Sequence, residues 1–236
     1  MATTEAVDPR VAAGMAALLA TRRERIAAGE TPIGWKVGFG AKAAMEKLGI
    51  TGPLVGFLSD AGRVESGGEV SLAGWTQPVA EPEVAVHMGA DLAGDATEAE
   101  AKAAIAGLSA AIELADLAFA PDDVEAILRG NVYQRHLICG PRDLSRRGGS
   151  VAGLRSRVIR NGAEVATQSD LEANTGRVLD IVRHVADVLA RAGQRLRAGE
   201  VIITGSIVPP VFLTADDREL THDVKGLGRV SVRLTR

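Results

Sequence analysis

Aromatic residues make up only 3% of this 236-residue chain. A core with so few rings must rest on Val, Ile, Leu and Ala. Cysteine occurs once, at Cys139, so an intrachain disulfide is excluded and a reducing cytoplasmic setting is expected. Neither sign of charge dominates. The 30 acids and 27 bases leave a net charge of −3, which gives no basic footprint for nucleic acid. Apolar runs stay short of the roughly 18 residues that span a bilayer, so no membrane partner is expected. The first residues carry Glu5 and Asp8 with no leucine-rich stretch, unlike a secretory signal. Lysine is also scarce, with five against 22 arginines, so a lysine in an unusual setting stands out. What remains is a globular chain with 46% hydrophobic and 24% charged residues, long enough for one large domain. The low net charge permits self-association, and a homo-oligomer is expected.

Periodicity predicts an N-terminal helix over residues 9–28, with Val11, Met15, Leu18, Leu19 and Ile26 at helical spacing and Gly29 at its end. This defines an N-terminal helical segment, residues 1–30, packed on a main domain, residues 31–236. Strands are expected at 33–39, 54–58 and 84–88. The alanine-rich run 97–108 reads as a helix with acids in its first turn. Asn161-Gly162 between 155–159 and 164–167 is a two-residue hairpin signal. Residues 175–192 form the clearest amphipathic helix, closed by Gly193. A strand at 200–204 and a pair hinged on Gly226-Leu227-Gly228 complete the chain. The stretches 52–74 and 209–221 read as surface connections. Strands outnumber helices without regular alternation, so the fold class is α+β.

Glu81-Pro82-Glu83 leads into an apolar strand. The two-residue period puts both carboxylates on one face, about 7 Å apart. Apolar neighbours suggest burial, which makes their repulsion costly unless a cation lies between them. Pro82 has no amide hydrogen and points to a strand start or edge. A solvent-facing pair beside an edge strand fits the spacing as well. Glu113, flanked by Ile112 and Leu114 in a second apolar segment, is either outward-facing or buried with a partner. Three carboxylates without a Cys or His set favour a hard ion such as Mg²⁺ or Mn²⁺.

Lys36 lies in Gly34-Trp35-Lys36-Val37-Gly38-Phe39-Gly40. Alternation puts it among glycines, on a face cleared for a ligand or covered by a helix with Lys36 snorkelling outward. A buried lysine is suited to proton transfer. Thr204-Gly205-Ser206 at a strand end could present amides and a hydroxyl to an anion such as a carboxylate, or form an ordinary turn. His87 is too far along its strand to share a metal with Glu83 and reads as structural. His184 falls on the polar helix side with Asp180 and Asp187. His136 sits in a polar patch, Asn131–His136, that either lines a site or lies on a loop surface. No P-loop, dinucleotide fingerprint or GxSxG elbow is present.

In this order the segments resemble the fumarylacetoacetate hydrolase superfamily, and within it the 2-keto-4-pentenoate hydratase and 4-oxalocrotonate decarboxylase branch. The resemblance runs from about Ile26 to the C-terminus. It rests on Gly34–Gly38, Pro78–Val86, Ile112–Asp116, Leu196–Ser206 and Gly226–Val232. It implies a mixed β-sandwich or β-roll of the C-terminal-domain type with flanking helices. Glu81, Glu83 and Glu113 match the acids that hold Mg²⁺ or Mn²⁺. The small-molecule substrate implied is a 2-oxo acid whose carboxylate and C2 oxygen bind that ion, with enolate charge stabilised at C2. Lys36 matches a lysine suited to proton transfer there. Ser206, with Gly205, matches a position near the substrate carboxylate, and Asn131 matches a further substrate-binding residue.

Two departures stand out. Leu54-Val55 replace an acid that hydratases carry before the glycine matching Gly56. Val132-Tyr133-Gln134 replace a small Ala-Ser-Ser stretch after the matching Asn131. Both bear on water addition rather than on metal binding. The expected activity is hydration of a 2-oxo or 2-hydroxydienoate acid. Decarboxylation of a vinylogous 2-oxo acid and acylpyruvate-type C–C hydrolysis are alternatives within the class. A non-catalytic metal-binding assembly subunit is the alternative outside it.

Overall fold

Two long antiparallel strands, β5 (Pro78–Met88) and β6 (Ile105–Asp116), run through the centre of the molecule. They are described by a computed structural model of residues 8–236. The first residues of the expected 1–30 segment, Glu5 among them, lie outside the described residues. Nearly every position of both strands is buried, so both faces are covered, which explains their near-continuous apolar runs.

The preceding elements are α1 (Pro9–Ala27), β1 (Pro32–Gly38), α2 (Lys42–Leu48), β2 (Leu54–Ser59), β3 (Arg63–Val64) and β4 (Glu69–Ser71). Between and after the central strands come α3 (Glu98–Ala104), α4 (Val124–Arg129), β7 (Gln134–Cys139), β8 (Arg155–Arg160) and β9 (Ala163–Gln168). The chain ends with α5 (Val178–Arg191), β10 (Val201–Ile203), β11 (Val211–Phe212), β12 (Glu219–Lys225) and β13 (Gly228–Thr235). One sheet runs β2-β1-β10-β5-β6-β7-β3, with β11 added to β5, and the other runs β4-β13-β12-β8-β9. These are the curled, mixed sheets with few helices expected of an α+β roll.

A buried stitch joins the sheets. The His222 ring on β12 bonds the Ala111 carbonyl at 2.9 Å through Nδ1 and the Ser156 hydroxyl at 2.8 Å through Nε2. Burial pushes this imidazole down to about 4. The core is aliphatic, as the scarcity of rings requires, with Trp35, Phe57 and Tyr133 its buried aromatics. Helix α1 packs on α4 and β2.

Several expectations change. The helix over 97–108 is real only to Ala104, where a Thr97–Glu100 capping box starts it. From Ile105 the chain becomes β6, because pairing with β5 and β7 buries both faces and outweighs alanine's helical preference. Besides the expected strand β2, the supposed connections hold β3, β4, β11 and the start of β12. The long helix starts at Val178 rather than 175. Residues 171–175 form a turn, and the Glu172 side chain accepts the Val178 amide at 2.8 Å. Pro82 lies inside β5, opposite Ile112, rather than at a strand start. Its other side faces the gap where β10 has ended at Ile203 and β11 has not begun, and Ile207 N–H bonds the Pro82 carbonyl at 2.9 Å. A missing N–H is harmless at that gap. The hairpin turn at Asn161-Gly162 is as expected, both residues having positive φ.

Candidate active site

The pleat puts Glu81 and Glu83 on one face of β5. The ladder sets Glu81 directly opposite Glu113 and Glu83 opposite Ala111. One carboxylate oxygen from each of the three glutamates lies within 4.8 Å of the others. Glu83 and Glu113 are wholly buried, and Glu81 is partly so. Glu83 Oε2 accepts the Gly205 N–H at 2.5 Å, and Glu113 Oε1 accepts from Lys36 Nζ at 2.5 Å. Their second oxygens, Glu83 Oε1 and Glu113 Oε2, are buried without a hydrogen-bond partner.

Burial, reinforced by Glu113 and Glu81, pushes the Glu83 carboxyl well above its ordinary range. Burial also raises Glu81, and it pushes Glu113 up to about 7 against the pull of Lys36. An orphaned carboxylate oxygen is costly. Oxygens that converge on one point, two of them unpartnered, fit a hard divalent cation.

Lys36 is buried, 1% exposed, which excludes the snorkelling alternative. Its ammonium donates to Glu113 and to the Val132 carbonyl, the latter at 3.1 Å. Burial works to lower its pKa, but the charges of Glu113, Glu81 and Glu83 hold it above the usual value. The glycine face around it is filled in part by the chain itself. A Cβ at Gly38 would lie 2.6 Å from Val132 Cγ1, and one at Gly56 would lie 2.9 Å from Asn131 Oδ1. The chain's own 131–133 turn fills the trough.

That turn is unusual. Asn131, Val132 and Tyr133 have φ of +54°, +51° and +62°, a left-handed run that costs on the order of 1–3 kcal/mol per non-glycine residue. The Asn131 amide holds it, accepting from Phe57 N–H at 2.8 Å and donating to the Phe57 carbonyl at 3.0 Å. Asn131 does not line the cavity. It positions the Val132 carbonyl over Lys36.

A cavity of about 250 Å³ opens from Lys36 and Glu81 and is also lined by Gly205 and Ser206. The anion that the Gly205 amide meets is the protein's own Glu83, rather than a ligand carboxylate. Ser206 Oγ–H donates to the Val208 carbonyl at 2.6 Å, which leaves its lone pairs toward the cavity as acceptors. Asn174 and Thr175 also line the cavity, and Asn174 Nδ2 donates to the Ser206 carbonyl at 2.7 Å. Sequence reasoning missed both, although the Asn-Thr-Gly ahead of a helix was a visible turn signal.

The histidines lie elsewhere. His87 bonds Ser109 Oγ at 2.8 Å, and burial pushes it down to about 4. His184 is half-buried and bonds the Pro53 carbonyl at 2.8 Å. His136 stacks on Trp75 with centroids 5.9 Å apart.

Residues 37–235 match the fumarylacetoacetate (FAA) hydrolase C-terminal family, and the chain belongs to it. A 4-oxalocrotonate decarboxylase from a Pseudomonas species is 28% identical over 237 residues, 98% of this chain and 89% of that protein. A 2-hydroxyhexa-2,4-dienoate hydratase from Comamonas testosteroni is 30% identical over 220 residues, 90% of this chain and 82% of that protein. The structure of 4-oxalocrotonate decarboxylase from Pseudomonas putida G7, complexed with magnesium and adipate, superposes with a TM-score of 0.86 at 28% identity. It covers 95% of this chain and 86% of that one. Fumarylpyruvate hydrolase from Pseudomonas aeruginosa, in complex with Mn²⁺ and pyruvate, shares the fold with a TM-score of 0.65 at 15% identity, over 86% of this chain and 89% of that one. Hydratases and decarboxylases are lyases, and this chain is an enzyme of that class. No helix among the described residues is long and apolar enough to cross a membrane.

Proposed function

We propose that the chain adds water to a 2-hydroxydienoate or its 2-oxo tautomer, with Mg²⁺ or Mn²⁺ held by Glu81, Glu83 and Glu113. The observation that carries this reading is the convergence of three carboxylates within 4.8 Å, two with an unpartnered oxygen and the third, Glu81, lining a cavity together with the buried Lys36. When bound, the ion supplies positive charge beside the substrate's carboxylate and C2 oxygen, where negative charge develops.

The remaining chemistry falls to the chain. Lys36 uses two of its three N–H groups on Glu113 and Val132, leaving one for a substrate atom at the cavity floor. It is the proton donor and acceptor in this reading. Leu54 and Val55 are buried in β2, so no acid from that strand takes the role. Gly205 orients Glu83, and Asn174 fixes the carbonyl of Ser206. Ser206 stands beside the substrate carboxylate.

Decarboxylation of a vinylogous 2-oxo acid is the second reading, favoured by the 0.86 TM-score with a decarboxylase. Incubation with 2-hydroxypenta-2,4-dienoate or 4-oxalocrotonate, with Mg²⁺ or EDTA, followed by NMR separates the two. A 4-hydroxy-2-oxo acid supports hydration, and CO₂ release supports decarboxylation. If neither compound changes in Mg²⁺, both readings fail and a non-catalytic subunit remains. A homo-oligomer in a reducing cytoplasm completes the proposal, with light scattering to measure the assembly.

A further inference from the structure

The chain has seven aromatic residues: two Trp, one Tyr and four Phe. Four of them gather at this one cavity. Phe39, Tyr133 and Phe212 line it, and Phe119 packs on Tyr133 with ring centroids 4.7 Å apart. Phe119 and Phe212 are 39% and 52% exposed, among the few large apolar side chains left in solvent. The Tyr133 hydroxyl is directed into the wall, within 3.2 Å of the Phe119 and Ala120 carbonyls, so its ring rather than its polar tip meets the cavity.

The charges follow the same division. Among the described residues lining the cavity, Lys36 and Glu81 are the charged ones, both at its floor, and no arginine or histidine joins them. Lys36 is already paired with Glu113. At the mouth, Lys42 follows the lining residue Ala41, but its side chain is 87% exposed and lies 3.8 Å from Glu46. Asp122 and Asp123, exposed beside Pro121, act on Tyr133 as negative charges. A second carboxylate on the substrate would therefore lose water without gaining a cation, and would pass acids to do so.

We infer that the site takes a 2-oxo monocarboxylate with an apolar, uncharged tail and rejects the dicarboxylate of equal length. The inference rests on the 2-oxo-acid reading above and narrows it. It assigns Phe39, Tyr133 and Phe212 to specificity, as the surface against which the tail lies. A 250 Å³ cavity suits a small metabolite, below the usual size of drug-binding pockets.

The test compares two six-carbon acids that differ only at C6. Calorimetric titration of the Mg²⁺-loaded protein with 2-oxohexanoate and 2-oxoadipate should show the monoacid binding at least about tenfold more tightly. Equal or tighter binding of 2-oxoadipate overturns the inference and leaves the 2-oxo-acid reading standing. If neither acid binds in Mg²⁺, both fall. Ala44→Arg places a cation on the half-buried wall without touching the floor, and it should bring the two affinities to about parity. A ratio that does not move in this variant, at unchanged melting temperature, overturns the placement of the tail against that wall.

Discussion

Glu81 and Glu113 are direct partners across the β5–β6 ladder. Like charges at such positions destabilise a sheet, and Glu83 adds a third carboxylate on the same face. Lys36 offsets one of these charges, which leaves a net negative site for a divalent ion.

Removing one ligand should separate metal binding from folding. Glu83→Gln is expected to weaken Mg²⁺ binding by about a hundredfold in titration calorimetry. The metal-free variant should melt no lower than wild type, because an amide replaces a buried carboxylate whose second oxygen has no partner. Undiminished Mg²⁺ affinity would take Glu83 out of the site.

Metal and pH should act on stability together. Folded Glu113 keeps its proton to about pH 7, whereas an ordinary glutamate releases it near 4.5, and burial holds Glu83 well above that ordinary value too. The folded state binds more protons across this window, so metal-free stability falls as pH rises. His87 and His222, both pushed down to about 4, contribute in the opposite sense only below about pH 6.5. Between pH 6.5 and 7.5, where the Glu113 proton is lost, the metal-free melting temperature should drop, and Mg²⁺ should restore it with proton release. A melting temperature that rises over that range contradicts the buried protonated cluster.

Lys36→Met tests the lysine. Metal binding should persist, while turnover falls at least about a hundredfold. Loss of the cation drives Glu113 further toward its protonated form, so metal-free stability in denaturant titration should fall mainly above pH 7, where that proton is lost. Normal turnover in a metal-binding variant would end the proton-transfer role.

Asn131→Ala tests the left-handed turn. Two buried hydrogen bonds to Phe57 disappear, at about 2 kcal/mol or more once unsatisfied backbone groups are included. Released strain at 131–133 should let the Val132 carbonyl leave Lys36, lowering kcat more than metal affinity. Equal stability and kcat would show that the turn holds itself.

Much of the site was legible because strand geometry is local. Glu81 and Glu83 share a face by period alone, and the glycines around Lys36 signalled a close approach. What fills that approach was not legible: Val132 and Asn131 arrive from nearly a hundred residues away. Gly205 was read as an amide donor to an anion, but only the β10–β5 pairing shows that Glu83 is the anion. The 97–108 helix failed at Ile105 because burial in a central strand is a property of the neighbours.

By itself the sequence determined the α+β class, the family resemblance, the aliphatic core and the three acids with their lysine, since each follows from composition, period or local motif. The tertiary structure decided the rest. It set Glu113 against Glu81 by register, tied the Asn131 amide to the Phe57 backbone, and gathered four of seven aromatics around one cavity. Those relationships join segments that are distant along the chain, and long-range pairing and packing carry no local signature.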